Sequence, residues 1–255
     1  MIMSSYSIHK EENLLVFTIT REHKRNAINY EVMDGLLKVI KMTKQEANIK
    51  GLVITGEGES AFCSGGDLSA FQNLITAEDA YNMLSKMSKI LYKLTTLNKP
   101  TIALINGTAV GGGCELATAC DFRIAKKGTK MGFIQGTLAI TTGWGGGSLL
   151  LEKLENEVAL KLLMEARPLP AEDLYNKGFI HAIYDQVSME VVQQFFANIN
   201  RIHTNVLSAY KEILVRKWKV TQLEKRMEEE VRTCSTLWSM ESHHQAVNKF
   251  LTKNK

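Results

Sequence analysis

The sequence contains, at residues 106–121, the stretch NGTAVGGGCELATACD, which joins a strand to a helix through glycine. The preceding residues Thr101–Ile105 (TIALI) are apolar and β-branched, which predicts a buried strand. Asn106-Gly107 predicts a turn, and the glycines at 111–113 lead into a helix predicted for CELATAC. This stretch therefore has the order strand, glycine turn, helix.

The same order occurs on both sides of this stretch. Upstream, a strand predicted for Gly51–Thr55 (GLVIT) precedes the glycine turn FCSGGD at residues 62–67 and a helix at Ala77–Leu97. Downstream, a strand predicted for Phe122–Ala125 precedes the glycine cluster at 143–147, which leads into SLLLEKL. Repeated alternation of strands and helices predicts an α/β fold.

The two ends of the chain differ from each other. The N-terminal part predicts a strand at Leu14–Thr20 and a helix at Tyr30–Ala47, whereas residues 189–255 predict long helices and contain neither glycine nor proline. We therefore predict a core over residues 1–190 and a helical segment over residues 191–255. A segment without its own sheet is expected to pack on the core or on a neighbouring subunit.

Composition excludes several classes of protein. The chain has 255 residues, 45% of them apolar, and a net charge of +4, which is typical of a folded globular protein. The basic residues form no stripe, so no nucleic-acid partner is expected. We find no signal peptide and no apolar run of about 18 residues, so we expect a cytoplasmic protein with no membrane partner.

Cysteine and histidine give no metal-binding pattern. The four cysteines form no CxxC pair, so we predict reduced thiols and no metal site. Cys63 and Cys114 lie in glycine turns but have no histidine partner, so we interpret them as packing residues. His243 and His244 are adjacent and cannot share one helical face, so we expect a surface pair.

The glycine turn before Glu115 is the main candidate site. Glycines at a strand-to-helix turn allow close approach of a ligand, and the first N–H groups of a helix have no intrahelical partner. Such a turn can hold an oxyanion, or it can simply pack a helix against a strand. Glu115 follows Gly112 by three residues, which places a carboxylate on the same helical face as that N–H group. The spacing suits proton transfer next to a carbonyl.

A second candidate turn comprises residues 63–68, CSGGDL. Gly66 would present an N–H group there, and Asp67 is suited to cap the following helix. By itself this turn is explained by capping alone. The nucleotide-binding patterns GxGxxG and GxxxxGK[ST] and the nucleophile elbow GxSxG do not match the GGGCE turn.

Together these motifs resemble the enoyl-CoA hydratase/isomerase (crotonase) superfamily. FCSGGDL and NGTAVGGGCELATACD lie about forty-five residues apart, in the family's order. The resemblance extends from about residue 10 to residue 190 through further segments, namely Arg21 with residues 26–29 (NAIN), GWGGGSLLLEKL from residue 143, AEDL from residue 171 and GFI from residue 178.

The resemblance implies a crotonase-type spiral of repeated ββα units with a C-terminal helical trimerisation segment, assembled as a homotrimer or hexamer. It implies an oxyanion hole made by the N–H groups of Gly66 and Gly112, with Glu115 as a catalytic carboxylate. Coenzyme A would be part of the acyl-CoA substrate, with no separate cofactor. The CoA-binding residues so implied are Ser64, Gly66, Asp67, Leu68, Ser69 and Gly112. A lysine that often follows the family's GAD motif is replaced here by Ser69.

The main departure from the family pattern is Gln135. Hydratases of the family carry a second glutamate twenty residues after the first, and the position twenty after Glu115 is Gln135. Glutamine is neither an acid nor a base at neutral pH, so Gln135 can only orient a group at the site, and hydratase activity is in doubt.

Three functions follow from this pattern. The first is a hydratase or isomerase of enoyl-CoA, a lyase or isomerase of fatty acid metabolism. The second is an acyl-CoA decarboxylase acting on a malonyl-type thioester, which forms the same enolate without a base at C2; the ACDFR segment and the GWGG cluster resemble the ethylmalonyl-CoA decarboxylase branch. The third is a catalytically silent acyl-CoA-binding subunit. Trp144, within the glycine cluster, is suited equally to an acyl pocket or to the core.

Overall fold

The computed structural model describes residues 4–71 and 73–253, which form ten strands and eleven α-helices. The strands are β1 (Tyr6–Glu11), β2 (Leu14–Ile19), β3 (Gly51–Gly56), β4 (Ala61–Cys63), β5 (Thr101–Ile105), β6 (Thr108–Val110), β7 (Phe122–Lys126), β8 (Lys130–Gly132), β9 (Leu169–Pro170) and β10 (Ala182–Tyr184).

The helices are α1 (Tyr30–Gln45), α2 (Leu68–Phe71), α3 (Ala77–Thr95), α4 (Gly112–Ala119), α5 (Gly146–Leu151), α6 (Asn156–Glu165), α7 (Ala171–Asn176), α8 (Met189–Asn200), α9 (Thr204–Val220), α10 (Leu223–Trp238) and α11 (Glu241–Lys253). A 3-10 turn at Gln135–Leu138 precedes α5. Among the residues described, no helix combines the length and the apolar character needed to cross a bilayer.

Two sheets form the framework of the protein. The larger has the strand order β1-β2-β3-β5-β7-β10 and the smaller has the order β4-β6-β8-β9. Three successive pairs, β3-β4, β5-β6 and β7-β8, each place their first strand in the larger sheet and their second in the smaller one before the chain continues into helix. This arrangement confirms the predicted spiral of ββα units.

The larger sheet is covered on both faces, which explains why its strands are continuous apolar runs. On one face α1, α3 and α4 pack in the main core, together with Phe17, Leu52 and Ile105. On the other face α8 covers the sheet through Val192 and Phe196. The C-terminal helical segment therefore begins by completing the core of the same chain.

The next helices of this segment also pack on the core. Lys211 of α9 forms an ion pair with Asp121, which follows α4. Met227, Val231 and Cys234 of α10 recur at helical spacing and are buried against α3 and α5. The C-terminal helical segment thereby covers the region around the glycine cluster at residues 143–147.

The strands and helices that the sequence predicts at residues 14–20, 30–47, 51–55, 77–97, 101–105, 114–120 and 122–125 begin and end within a few residues of those bounds. The expectation of a surface pair at His243-His244 was wrong for His243. This residue is 3% exposed, its Nδ1 lies 2.7 Å from O of Leu138, and its ring packs on Trp238. It is buried because α11 folds back over the 3-10 turn.

Candidate active site

The glycine turns after β4 and β6 lie side by side because these two strands pair in parallel. Gly65 has φ +99° and Gly111 has φ +55°, conformations that favour glycine at both positions. A Cβ on Gly65 would lie 3.2 Å from N of Gly112. Among the described residues, the N–H groups of Gly66 and Gly112 have no acceptor. The two predicted oxyanion-hole donors are thus brought together and left available.

The first turn is fixed by contacts to the chain before α1. N of Ile28 donates to O of Gly65 at 2.8 Å, and N of Asp67 donates to O of Ile28 at 2.9 Å. Asp67 forms a 2.6 Å ion pair with Arg21 and accepts from N of Ser69 at 3.0 Å, which confirms the predicted capping. Burial opposes ionisation of Asp67, but the hydrogen bonds from Ser69 and Arg21 lower its pKa. The Asp67 carboxylate therefore holds the loop together.

Glu115 is buried on α4, at 2% exposure, and its carboxyl group is surrounded by donors. Oε2 accepts from N of Trp144 at 2.8 Å and from N of Gly146 at 2.9 Å. Oε1 accepts from Nε2 of Gln135 at 2.8 Å and lies 3.4 Å from N of Gly143. The backbone amides of the glycine cluster at residues 143–147 thus bind the Glu115 carboxyl group.

Gln135 occupies the position beside Glu115 that the sequence spacing predicts. It lies at the start of the 3-10 turn, is 8% exposed and lines a cavity that Gly112 and Glu115 also border. Its Nε2 donates to Glu115, whereas its Oε1 is buried without a partner among the described residues. A buried acceptor without a donor is unfavourable unless a ligand or water supplies one.

The protonation of Glu115 is set by its surroundings. Burial, followed by the negative charge of Glu230, raises the pKa of Glu115 to about 8, against the effect of the backbone amides. The group is therefore mainly protonated at neutral pH and can act as an acid there. A carboxyl group with a pKa near the working pH is suited to general acid–base catalysis.

Glu230 is a carboxylate near the site that the motifs do not indicate. It lies on α10 and accepts from N of Gly147 at 3.0 Å and from N of Ser148 at 2.7 Å. The available signal is weak: Glu230 interrupts the apolar face formed by Met227 and Val231. A sequence pattern does not indicate which turn that face covers.

A cavity of about 470 Å³ lies beside Gly66, Gly112, Glu115 and Gln135. Ser64, Leu68 and Ser69, predicted to contact CoA, also line it. The apolar side chains of its wall include those of Met83, Leu84, Ile140, Trp144, Cys234 and Trp238. Trp144 is both core and pocket wall, because it is 4% exposed and still borders the cavity.

Trp144 also packs against Gly112 and Gly66. A Cβ on Gly112 would lie 2.1 Å from Cζ3 of Trp144, and a Cβ on Gly66 would lie 3.5 Å from Cζ2 of Trp144. Gly112 therefore has no room for a side chain, whereas Gly66 has nearly enough.

Two exposed cations, Lys24 and Arg25, border the same cavity and were not predicted. N of Ser64 donates to O of Arg25 at 3.1 Å, which places these cations beside the first glycine turn. A nearby positive charge is what an anionic ligand such as the phosphates of CoA requires. Their signal in the sequence is only the dipeptide Lys-Arg in a loop.

The described residues contain no group of three potential metal ligands. All four cysteines are free and buried. Burial raises the pKa of the Cys63 thiol to about 12 and also raises the pKa of Cys114. Neither thiol is activated as a nucleophile, in agreement with their interpretation as packing residues.

Among the described residues, two paired glycine turns with unpartnered N–H groups thus lie beside a buried carboxyl group in an α/β fold of ββα units. The family model for enoyl-CoA hydratase/isomerase matches residues 9–255. The chain therefore belongs to the enoyl-CoA hydratase/isomerase family, whose members process acyl-CoA thioesters.

Individual relatives agree with this assignment. The chain is 28% identical over 262 residues to crotonyl-CoA hydratase of Syntrophomonas wolfei, covering 100% of this chain and 98% of the relative. It is 28% identical over 250 residues to ethylmalonyl-CoA decarboxylase of Gallus gallus, covering 96% of this chain and 83% of the relative. The crystal structure of carnitinyl-CoA hydratase from Mycobacterium avium superposes with a TM-score of 0.85 at 26% identity, covering 98% and 97% of the two chains.

Proposed function

We propose that this protein acts on an acyl-CoA thioester, stabilises the enolate with the N–H groups of Gly66 and Gly112, and exchanges the proton at C2 through Glu115. The observation that carries this proposal is the pair of unpartnered N–H groups at a cavity that also holds a buried carboxyl group. The reaction class is that of an enoyl-CoA hydratase or isomerase.

The chemistry follows from where charge develops. When C2 loses a proton, or when a nucleophile adds at C3, the thioester oxygen becomes negative. Two fixed N–H donors stabilise that oxygen more than they stabilise the neutral carbonyl, and one such donor contributes roughly 3 kcal/mol. Glu115 gives or takes the C2 proton, and Gln135 orients a group without exchanging a proton with it.

CoA is a part of the substrate in this proposal. Ser64 and Ser69 lie along the loop beside the cavity, and Lys24 and Arg25 supply positive charge for its phosphates. The apolar wall formed by Met83, Leu84 and Trp238 suits the acyl chain.

Decarboxylation of a malonyl-type thioester is the second candidate. The carboxyl groups that border the cavity within the described chain are those of Asp67 and Glu115, and Asp67 is paired with Arg21. Decarboxylation needs only one: the C–C bond electrons pass into the enolate, CO2 leaves, and Glu115 delivers a proton to C2. The similarity to ethylmalonyl-CoA decarboxylases supports this candidate.

A panel of enoyl-, 3-hydroxyacyl- and malonyl-type CoA thioesters, read by mass spectrometry, distinguishes these reactions. A product heavier by the mass of one water indicates hydration, and a product lighter by the mass of one CO2 indicates decarboxylation. An isomerised product keeps its mass and is separated by chromatography. Binding of the thioesters without turnover would instead support the silent acyl-CoA-binding subunit.

The matching variant is Glu115→Gln, which should abolish whichever turnover is found. Glu157→Gln is the control, since Glu157 is exposed on α6 and away from the cavity lining. Full turnover by Glu115→Gln would contradict the role given to Glu115.

Assembly as a homotrimer or hexamer is a further part of the proposal. The structure places Leu237 and Trp238 against the core of the same chain, and the side chain of Leu251 lies outside the described residues. Four exposed apolar side chains of the tail lie along one face of α9, namely Val206, Tyr210, Ile213 and Val220, whereas Ile202, Met240 and Phe250 are exposed outside α9. Such a face supports contact with another subunit.

A further inference from the structure

Glu230 of α10 and Glu115 of α4 are bound by the same short turn. Oε1 of Glu230 accepts from N of Gly147 at 3.0 Å, and Oε2 accepts from both N and Oγ of Ser148 at 2.7 Å. Glu115 accepts from N of Gly146 at 2.9 Å. Neighbouring amides of residues 143–148 are thus divided between two carboxylates from helices far apart in the chain.

The place of Glu230 on its helix is unusual for an acid. It lies on the face of α10 that carries the buried residues Met227, Val231 and Cys234. A carboxylate on such a face is unfavourable unless hydrogen bonds compensate for the lost water. The turn at residues 147–148 provides that compensation, so the contact fixes α10 and the turn relative to each other.

Among the residues that the structure describes, no cation is paired with either of these carboxylates. The titratable groups that face Glu115 are Glu230 and Cys234 on α10 and Cys114 on α4. Burial raises the pKa of both thiols, so they are neutral. Within the described chain neither Glu115 nor Glu230 forms an ion pair.

Like charges that share a buried region are not both ionised readily. Burial raises the pKa of Glu230 as well as that of Glu115. Glu230 accepts from two amides and the Ser148 hydroxyl, and Glu115 accepts from two amides and the side chain of Gln135, so hydrogen bonds favour ionisation of both groups. Burial and the negative charge of Glu230 nevertheless raise the pKa of Glu115 to about 8, so the proton is expected on Glu115, which borders the cavity.

We propose that Glu230 is a positioning residue for Glu115: it fixes the turn that holds the Glu115 carboxyl group, and its negative charge opposes ionisation of that group. Its catalytic consequence rests on the proposed function, in which Glu115 delivers or accepts the C2 proton. The C-terminal helical segment would then set the protonation of the site as well as cover it.

The direct test is a pH titration of the ligand-free protein by NMR, with 13C at the side-chain carboxyl carbon of glutamate. The Glu115 signal is assigned by its absence from Glu115→Gln. In Glu230→Gln the pKa of Glu115 should fall by about one unit or more, because the like charge is removed. Glu229→Gln is the control: it removes the same charge from an exposed neighbour on α10, and the pKa of Glu115 should not change.

Glu230→Asp distinguishes the effect of the carboxylate charge from the effect of the side-chain length. The charge is retained, so the pKa of Glu115 should stay near its natural value, while the shorter side chain should loosen the turn and lower kcat more than it changes KM. If Glu230→Gln does not fold, this variant still decides. A fall of the Glu115 pKa by about one unit or more in Glu230→Asp would overturn the proposal, as would an unchanged pKa in folded Glu230→Gln.

Because the titration needs no substrate, it is independent of the proposed reaction. Absence of turnover with every thioester would contradict the proposed function and leave the NMR result to judge Glu230. Where a substrate is found, the limb of the pH–rate profile assigned to Glu115 should move to lower pH in Glu230→Gln. A limb that does not move would count against the proposal.

Discussion

Nε2 of Gln135 lies 2.8 Å from Oε1 of Glu115, and Oε1 of Gln135 is buried without a partner among the described residues. The amide thus donates to the carboxyl group with one end and offers an acceptor with the other. A substrate hydroxyl or a water could donate to that acceptor. The site therefore holds one group that can exchange a proton and one that can only orient its neighbour.

Replacing Gln135 by glutamate should create a two-carboxylate site. The new carboxyl group would lie beside Glu115 and share one proton with it. We expect hydration of crotonyl-CoA to be weak in the natural protein and to rise about a hundred- to ten-thousandfold in Gln135→Glu. Loss of the enoyl thioester absorbance measures both rates, and Gln135→Leu is the control without an acid. Rapid hydration by the natural protein would show that another group supplies the missing proton.

The oxyanion hole is best tested at Gly66, where two variants both add a Cβ but only one of them keeps the backbone N–H group. A Cβ on Gly66 would lie 3.2 Å from the Phe71 ring, which must move by a few tenths of an ångström. Gly66→Ala keeps the N–H group and should retain most of the turnover. Gly66→Pro removes the N–H group and should lose about a hundredfold or more in kcat.

The comparison of these two variants removes the effect of the added Cβ. Folding of both variants is checked by circular dichroism. This check is needed because a proline at position 66 also restricts the backbone of Gly65. Equal turnover of folded Gly66→Ala and Gly66→Pro would contradict the role of this N–H group. Gly112 is a poorer choice because any side chain there meets Trp144 at 2.1 Å.

Stability should depend on pH through Glu115. Its pKa is raised to about 8 in the folded protein, above the ordinary glutamate value of 4.5. The unfolded chain therefore loses this proton at lower pH than the folded one, so the contribution of Glu115 to the free energy of unfolding is largest below about pH 4.5 and is lost as pH rises to about 8.

Glu115→Gln removes this titration while keeping the size of the side chain. Relative to the variant, the natural protein should lose at least about 1.4 kcal/mol of unfolding free energy between pH 5 and pH 9, which corresponds to about one unit of pKa difference. Urea unfolding at both pH values measures it. A difference between the two proteins that is constant with pH would contradict the raised pKa.

The exposed apolar face of α9 predicts assembly. Sedimentation at micromolar concentration should give at least three copies of the 28.6 kDa chain. Ile213→Lys, at a position 58% exposed in the single chain, should shift the protein toward smaller species, because it places a charge within the apolar face. Glu212→Lys, on the neighbouring exposed position, is the control. A natural protein that sediments as a monomer would rule out this assembly.

Local patterns indicated Gly66, Gly112 and Glu115, because each lies in or directly after a glycine turn. Gln135 was indicated instead by the family resemblance, through its distance of twenty residues from Glu115. Strands such as β9, of two residues, are too short for any periodicity. β9 forms because Leu169 and Pro170 pair antiparallel with Met131 and Lys130 of β8.

Long-range contacts explain what the sequence did not indicate. Glu230 reaches the site because α10 packs across α3 and α5, which no motif specifies. His243 is buried for a similar reason, since α11 packs on the 3-10 turn that begins at Gln135. The sequence predicted that His243 and His244 would both lie on the surface, but the packing of α11 buries His243.

The parallel pairing of β4 with β6 has a consequence for how this chemistry can change over evolution. In the proposed function the two N–H donors, those of Gly66 and Gly112, follow adjacent strands, which lie about 4.8 Å apart in a sheet. Backbone hydrogen bonds set this spacing, and side-chain substitutions leave it intact. Replacements at positions such as Gln135 would therefore change the proposed reaction while both donors stay in place.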